Sequence, residues 1–201
     1  MLHPKRLLVS AACAAVALAA AAGAAMPPAA TEAHTAAGAH PAPAGDRHGA
    51  VTDDLRKARR ATLAFRDVAA ARAAGYEADH ECAEDPKYGG MGIHYSNPRL
   101  IADGRLDVER PEVLVYQPTG GGKLRLGAIE YFQADADQDL DTDGDRPSLF
   151  GLPFDGPMLG HNPQMPKHYD LHVWLYRHNP AGMFAMWNPQ VKCSGDHTGA
   201  Q

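Results

Sequence analysis

His94, Glu130 and His172 are the residues of this sequence best suited to hold a metal ion. They fall in separate segments, Gly92 to Ser96, Lys123 to Phe132 and His168 to Arg177, each with the alternation of a β-strand. Two neutral imidazole nitrogens and one anionic oxygen, drawn from different strands, make the ligand set of an open zinc, copper or iron site whose shell solvent completes. Glu130 carries most of the argument. It shares a strand face with Leu124, Leu126, Ala128 and Phe132, and a carboxylate in an apolar row is costly unless it is paired or bound to a metal. Arg99, Arg105 or Arg125 could supply a salt bridge instead, and either histidine could be a hydrogen-bonded structural residue.

The last of these segments offers more ligands than one ion can use. His168, Asp170 and His172 share a face, but at roughly 3.3 Å per residue the two histidines lie about 13 Å apart. His172 is therefore the expected ligand, with His168 and Asp170 as neighbours that could orient it. A second, harder cation site is suggested by Asp139, Asp141, Asp143 and Gly144, which match the D-x-D-x-D-G opening of a calcium loop, with Asp145 beside them. The twelfth position is Phe150 rather than Glu, and Arg146-Pro147 deny it an exiting helix. Weak calcium binding, at about 10⁻⁴ to 10⁻³ M, and a plain solvated acidic loop are the two readings of this stretch.

Other chemistries find little support. The sequence has no H-E-x-x-H and no C-x-x-C. Ser96, Ser148 and Ser194 stand in no nucleophile elbow. Gly122-Lys123 fails as a phosphate loop, because Leu124 replaces the hydroxyl residue and a strand follows. A formal charge of −5, or about −7 once Lys5 and Arg6 are removed, argues against a nucleic-acid partner.

The elements that must position the candidate ligands can be read in order. Residues 1–25 have the basic, apolar and small-residue parts of a secretory signal, and 26–50 form an Ala/Pro-rich linker too poor in apolar side chains to fold. One domain, 51–193, follows, with a flexible tail, 194–201. The expected product is a secreted, extracellular protein with no membrane anchor after cleavage. Its Cys82 and Cys193 most simply pair as a disulfide, free thiols being the alternative. Thr52-Asp53-Asp54 reads as a helix start, with Leu55, Ala58, Thr62, Phe65, Ala69, Ala73 and Tyr76 at helical spacing and Gly75 at its end.

A hairpin, Glu112–Gln117 and Lys123–Phe132, comes next. Then a Gly/Pro-rich stretch, Arg146–Pro166, reads as a loop that lids a pocket. A closing hairpin is expected to run His168–Arg177 and Met183–Trp187 around a turn at His178–Gly182. Its Trp174, Tyr176 and Trp187, with Tyr95, could instead form an aromatic platform for a glycan or peptide of the cell envelope.

The blocks GMGIHYSNPRL, RPEVLVYQP, LRLGAIEYF and LHVWLYRHNPAGMFAMWNP resemble those of a family of uncharacterised secreted bacterial proteins, especially of actinobacterial type, over roughly Phe65 to Cys193. The resemblance implies one exported β-rich domain containing Cys82 and Cys193, and carries no activity with it. The expected fold is α+β: an N-terminal helix on a small, bent antiparallel sheet or incomplete β-barrel, closed by one disulfide. The leading expectation for function is transition-metal binding. A metal-dependent enzyme of unstated substrate and a non-catalytic envelope-binding module are its rivals.

Overall fold

The computed structural model describes residues 44–79 and 82–193. The expected signal peptide, the linker up to residue 43 and the tail from 194 lie outside the described residues. Helix α1 spans Ala44–Ala61, so it takes in residues expected in the linker, and Thr52 lies within the helix rather than at its start. Beyond Pro43 there is no proline to interrupt it.

The single helix expected to run on to Tyr76 is broken in two. Buried Thr62 turns its hydroxyl back onto the Ala58 carbonyl at 2.7 Å, a local bond that competes with regular helix. A 3₁₀ turn, Leu63–Arg66, follows. Asp67 then caps α2 (Val68–Ala73), accepting a hydrogen bond from the Ala69 N–H at 2.9 Å. The break resets the helical phase, so Ala71 is buried while Ala69 and Ala73 face outwards.

The strands are β1 (Glu77–Ala78), β2 (Ala83–Asp85), β3 (Gly89–Ser96), β4 (Val113–Pro118) and β5 (Leu124–Ala134), with a short helix α3 (Pro98–Asp103) between β3 and β4. The stretch read as a lid supplies β6 (Ser148–Leu149), β7 (Leu152–Pro153) and β8 (Asp155–Met158), before β9 (His168–Val173). Seven strands form one antiparallel sheet in the order β1-β3-β4-β5-β9-β8, with β2 also on β3, and the sheet does not close into a barrel. The pair β6–β7 is a separate ribbon.

Alternation along the strands splits the apolar residues into two layers. Tyr95, Leu114, Tyr116, Ile129, Tyr131, Leu171 and Val173 pack on one side, under Ala58 of α1 and Ala71 of α2. Met91, Val113, Val115, Ala128, Phe132, Trp174 and Val191 pack on the other. Both faces of the central strands are thus covered, which is why β4 and β9 are buried almost end to end. Phe150 and Phe154 anchor the former lid in the first layer, while Leu152 and Leu159 stay exposed.

The closing hairpin does not form. β9 ends at Val173, and Met183–Trp187 is no strand. One backbone bond still links the expected arms, the Trp174 N–H donating to the Met183 carbonyl at 2.9 Å, and side chains satisfy the carbonyls beyond it: Trp174 Nε1 donates to that of Ala185 at 2.6 Å, and Asn179 Nδ2 to that of Trp187 at 3.0 Å. β9 pairs with β5 and β8 rather than with a partner arm. The disulfide Cys82–Cys193 is present, with Cα atoms 5.6 Å apart, and it ties the start of β2 to the end of this C-terminal segment.

Candidate metal centre

His94, Glu130 and His172 meet on the second face of the sheet. Each comes from a different strand, β3, β5 and β9, and Glu130 is the cross-strand partner of His172. His94 has a whole strand between it and Glu130: it sits opposite Val115 of β4, while Glu130 sits opposite Val113. Flat neighbouring strands about 4.8 Å apart would leave His94 too distant. A bulge lies just beyond these positions. Between Val115 and Tyr116 the register with β5 slips, leaving Gly127 extra. A Cβ at Gly127 would stand 2.0 Å from the Gln117 side-chain amide, so a side chain there would have to displace that amide. Gly92, at φ 125°, is held more firmly: a built Cβ would stand 2.4 Å from the Tyr116 backbone carbonyl oxygen.

The resulting geometry is compact. Glu130 Oε2 lies 3.2 Å from His94 Nε2 and 3.4 Å from His172 Nε2. Ligand atoms of all three residues lie within 4.8 Å of one another, and the imidazole rings stand at 90° with centroids 6.0 Å apart. All three side chains are buried. Glu130 Oε2 and both ring nitrogens of His172 have no partner in hydrogen-bond geometry. For a tetrahedral ion bonded at about 2.0–2.1 Å, ligand atoms stand roughly 3.3–3.4 Å apart. The 3.2 and 3.4 Å separations match that spacing.

Electrostatics favour a cation here. Burial pushes the Glu130 carboxyl upwards, but His172 and then His94 outweigh it and hold the group below the usual carboxylate range. Burial likewise pushes the His172 imidazole down, and Glu130, with Asp170 behind it, more than reverses that. Asp170 is buried and neither of its oxygens has a partner in hydrogen-bond geometry; its Oδ1 stands 3.6 Å from His172 Nδ1. That placement sets the Asp170 carboxylate beside Nδ1, while Nε2 faces Glu130.

Of the two expected orienting neighbours, Asp170 lies beside the His172 ring and His168 does not. His168 pairs with Ala134, well along the strand from the Glu130–His172 pair. Its ring stacks on Phe132 at 4.8 Å, and its Nδ1 lies 3.2 Å from the Pro166 carbonyl oxygen. None of Arg99, Arg105 and Arg125 pairs with Glu130, whose ion-pair partners among the described residues are the two histidines.

A residue the sequence did not suggest is Asp155 on β8. It is the cross-strand partner of Asp170, and burial, with Asp170 next, raises its carboxyl. Its one sequence signal, an acid inside the Gly/Pro-rich stretch, read as part of a lid. Met165, Met186 and Trp187 complete the apolar cover on this face.

The calcium-loop set does not assemble. Asp139, Asp141, Asp143 and Asp145 are exposed, and among the described residues the one group of three or more metal-ligating side chains within 4.8 Å is His94, Glu130 and His172. The loop carboxylates turn to nearby donors instead: Asp139 accepts from the Asp141 N–H at 3.1 Å, Asp143 pairs with Arg146 at 3.2 Å, and Asp145 accepts from the Tyr169 hydroxyl at 2.8 Å. The aromatic platform fails too. Tyr95 and Tyr176 pack into the first layer, Trp174 and Trp187 into the second, so the four rings share no surface.

Fold and site together define an open antiparallel α+β domain with a buried His/Glu/His cluster. Comparison with known proteins adds no relative: no family model matches the chain, and neither does any curated protein or solved structure. No helix among the described residues is long and apolar enough to cross a membrane.

Proposed function

We propose that this chain is an exported protein that binds one transition-metal ion, zinc, copper or iron, through His94 Nε2, Glu130 Oε2 and His172 Nε2. The observation that carries this reading is the pair of 3.2 and 3.4 Å separations around one buried carboxylate oxygen, at the spacing a tetrahedral ion imposes and without hydrogen-bond alignment at Glu130 Oε2 or His172. Export is supported by the signal-like segment 1–25 and by the disulfide, which forms in oxidising compartments. The sequence blocks support placing the chain with the secreted bacterial family they resemble.

Metal analysis of protein purified without added metal tests the site. The expected result is about one equivalent per chain, lost in Glu130→Gln and His172→Gln variants that remain folded. Substoichiometric metal, together with no thermal shift on adding zinc, copper or iron, overturns it.

Three protein ligands leave a tetrahedral ion one further position, so a metal-dependent enzyme is the second reading. The acid pair Asp170–Asp155 beside His172 favours it, as a place where a proton can be held. Azide added to the cobalt-substituted protein should shift the visible spectrum if that position is open, and an unchanged spectrum excludes an exchangeable ligand.

A further inference from the structure

A cavity of about 410 Å³ lies where the turn between β4 and β5 meets the C-terminal segment, and none of His94, Glu130 and His172 lines it. Gln117 of β4, Arg177, Val191 and Lys192 do. That volume is within the range of small-molecule sites. Gln117 is 2% exposed, and neither the nitrogen nor the oxygen of its side-chain amide has a hydrogen-bond partner. A buried amide left open at both atoms is costly, so its place in a cavity wall points to a group that completes it. Gly127 makes room for it: a Cβ there would stand 2.0 Å from Gln117 Nε2, and the Gly127 carbonyl accepts the Arg177 N–H at 3.2 Å. One point of β5 thus holds both the amide and the base of the Arg177 side chain.

The two cations of the cavity differ in what they already meet. Lys192 is paired with Glu84 at 3.3 Å. Arg177 donates through Nη2 to the Gln190 carbonyl, its Nε is buried without a partner, and it has no carboxylate at ion-pair distance among the described residues. One uncompensated guanidinium suits one negative charge, a carboxylate rather than a dianionic phosphate. Gln117 narrows the ligand further. An amide open at both atoms needs a group that donates and accepts together; a second amide does both, whereas a bare carboxylate or phosphate only accepts.

We propose that this cavity binds a carboxylate carrying an adjacent amide, the chemistry of an N-acyl amino acid, with the carboxylate on Arg177 Nε and the amide on Gln117. It stands or falls independently of the transition-metal site.

The test is a titration of N-acetylglycine into the ¹⁵N-labelled protein, followed by NMR. The expected Kd is about 1 mM, and the Gln117 side-chain NH₂ pair, identified by its loss in Gln117→Met, should be among the resonances that move. Acetate and N-acetylglycinamide each carry half of the recognised group and should bind at least about 10-fold more weakly. Arg177→Gln and the nearly isosteric Gln117→Met should each weaken N-acetylglycine by about 10-fold, while Glu130→Gln should bind it like the wild type. Should Gln117→Met fail to fold, Arg177→Gln and the comparison of the three ligands still decide. No saturable shift up to about 20 mM N-acetylglycine overturns the proposal. Acetate or inorganic phosphate binding as tightly overturns it as well, leaving an adventitious ion only, and so does full affinity in either variant.

Discussion

Glu112 offers a test of the electrostatics that no metal can confuse. It is 1% exposed, and its Oε2 accepts a hydrogen bond from the Phe132 N–H at 3.1 Å, holding β5 just past the end of β4. Burial pushes its carboxyl up from 4.5 to about 8, against the lowering effect of that bond. Because the folded value lies above the unfolded one, this contribution to stability is fully present below about pH 4.5 and is lost as the pH rises through about 8.

At 1.36 kcal/mol per pH unit, the gap corresponds to about 5 kcal/mol in full and to about 3 kcal/mol between pH 4.5 and 7. Glu112→Gln keeps an oxygen for Phe132 and cannot ionise. In urea unfolding with EDTA present, the variant should match the wild type to within about 1 kcal/mol at pH 5 and exceed it by several at pH 9. Parallel stability profiles for the two proteins between pH 5 and 9 would refute the assignment of a buried, protonated Glu112.

Three further perturbations probe the site and its supports. Asp170→Asn should weaken metal binding by about 10- to 100-fold in competition with a chelator while leaving about one equivalent at saturation; unchanged affinity would show that His172 needs no orienting carboxylate. Gly92→Ala combines a φ of 125° with a Cβ 2.4 Å from the Tyr116 carbonyl oxygen, so it should cost at least about 2 kcal/mol in denaturant unfolding and lower the metal content with it. Cys82→Ser opens a loop closed over a sequence separation of 111. It should cost up to about 4–5 kcal/mol and speed metal release to a chelator, and equal release rates would separate the disulfide from the site's cover.

Much of the candidate site was legible because a strand has a fixed period. Glu130 in an apolar row and histidines in alternating segments place themselves on a definite face, and that face proved shared. The disulfide was legible from compartment and count. What sequence could not show was curvature. The bulge at Gly127 is held by the Tyr176 and Arg177 N–H groups that donate to its carbonyl, contacts between segments far apart in the chain. The broken helix was hidden for a local reason: a stripe from Leu55 to Tyr76 keeps a helical period whether or not Thr62 back-bonds to Ala58. The missing hairpin arm reflects tertiary override, since Asn179 and Trp174 satisfy a backbone that turn residues alone would have paired.

Glu130 rather than either histidine is the centre of the arrangement, and the reason lies in strand order. β5 is flanked by β4 and β9, so Glu130 faces His172 as its direct cross-strand partner on one side and His94, two strands away on β3, on the other. The two residues of β4 lying beneath the His94 approach are valines, whose short branched side chains leave the imidazole a path over the sheet to Glu130. The C-terminal segment, bonded to β3 through the Gly90–Asn188 bridge and tied to the start of β2 by the disulfide, covers the same face. The long-range link between Cys82 and Cys193 therefore secures the apolar cover over the cluster, where water would otherwise compete for the carboxylate and the imidazoles.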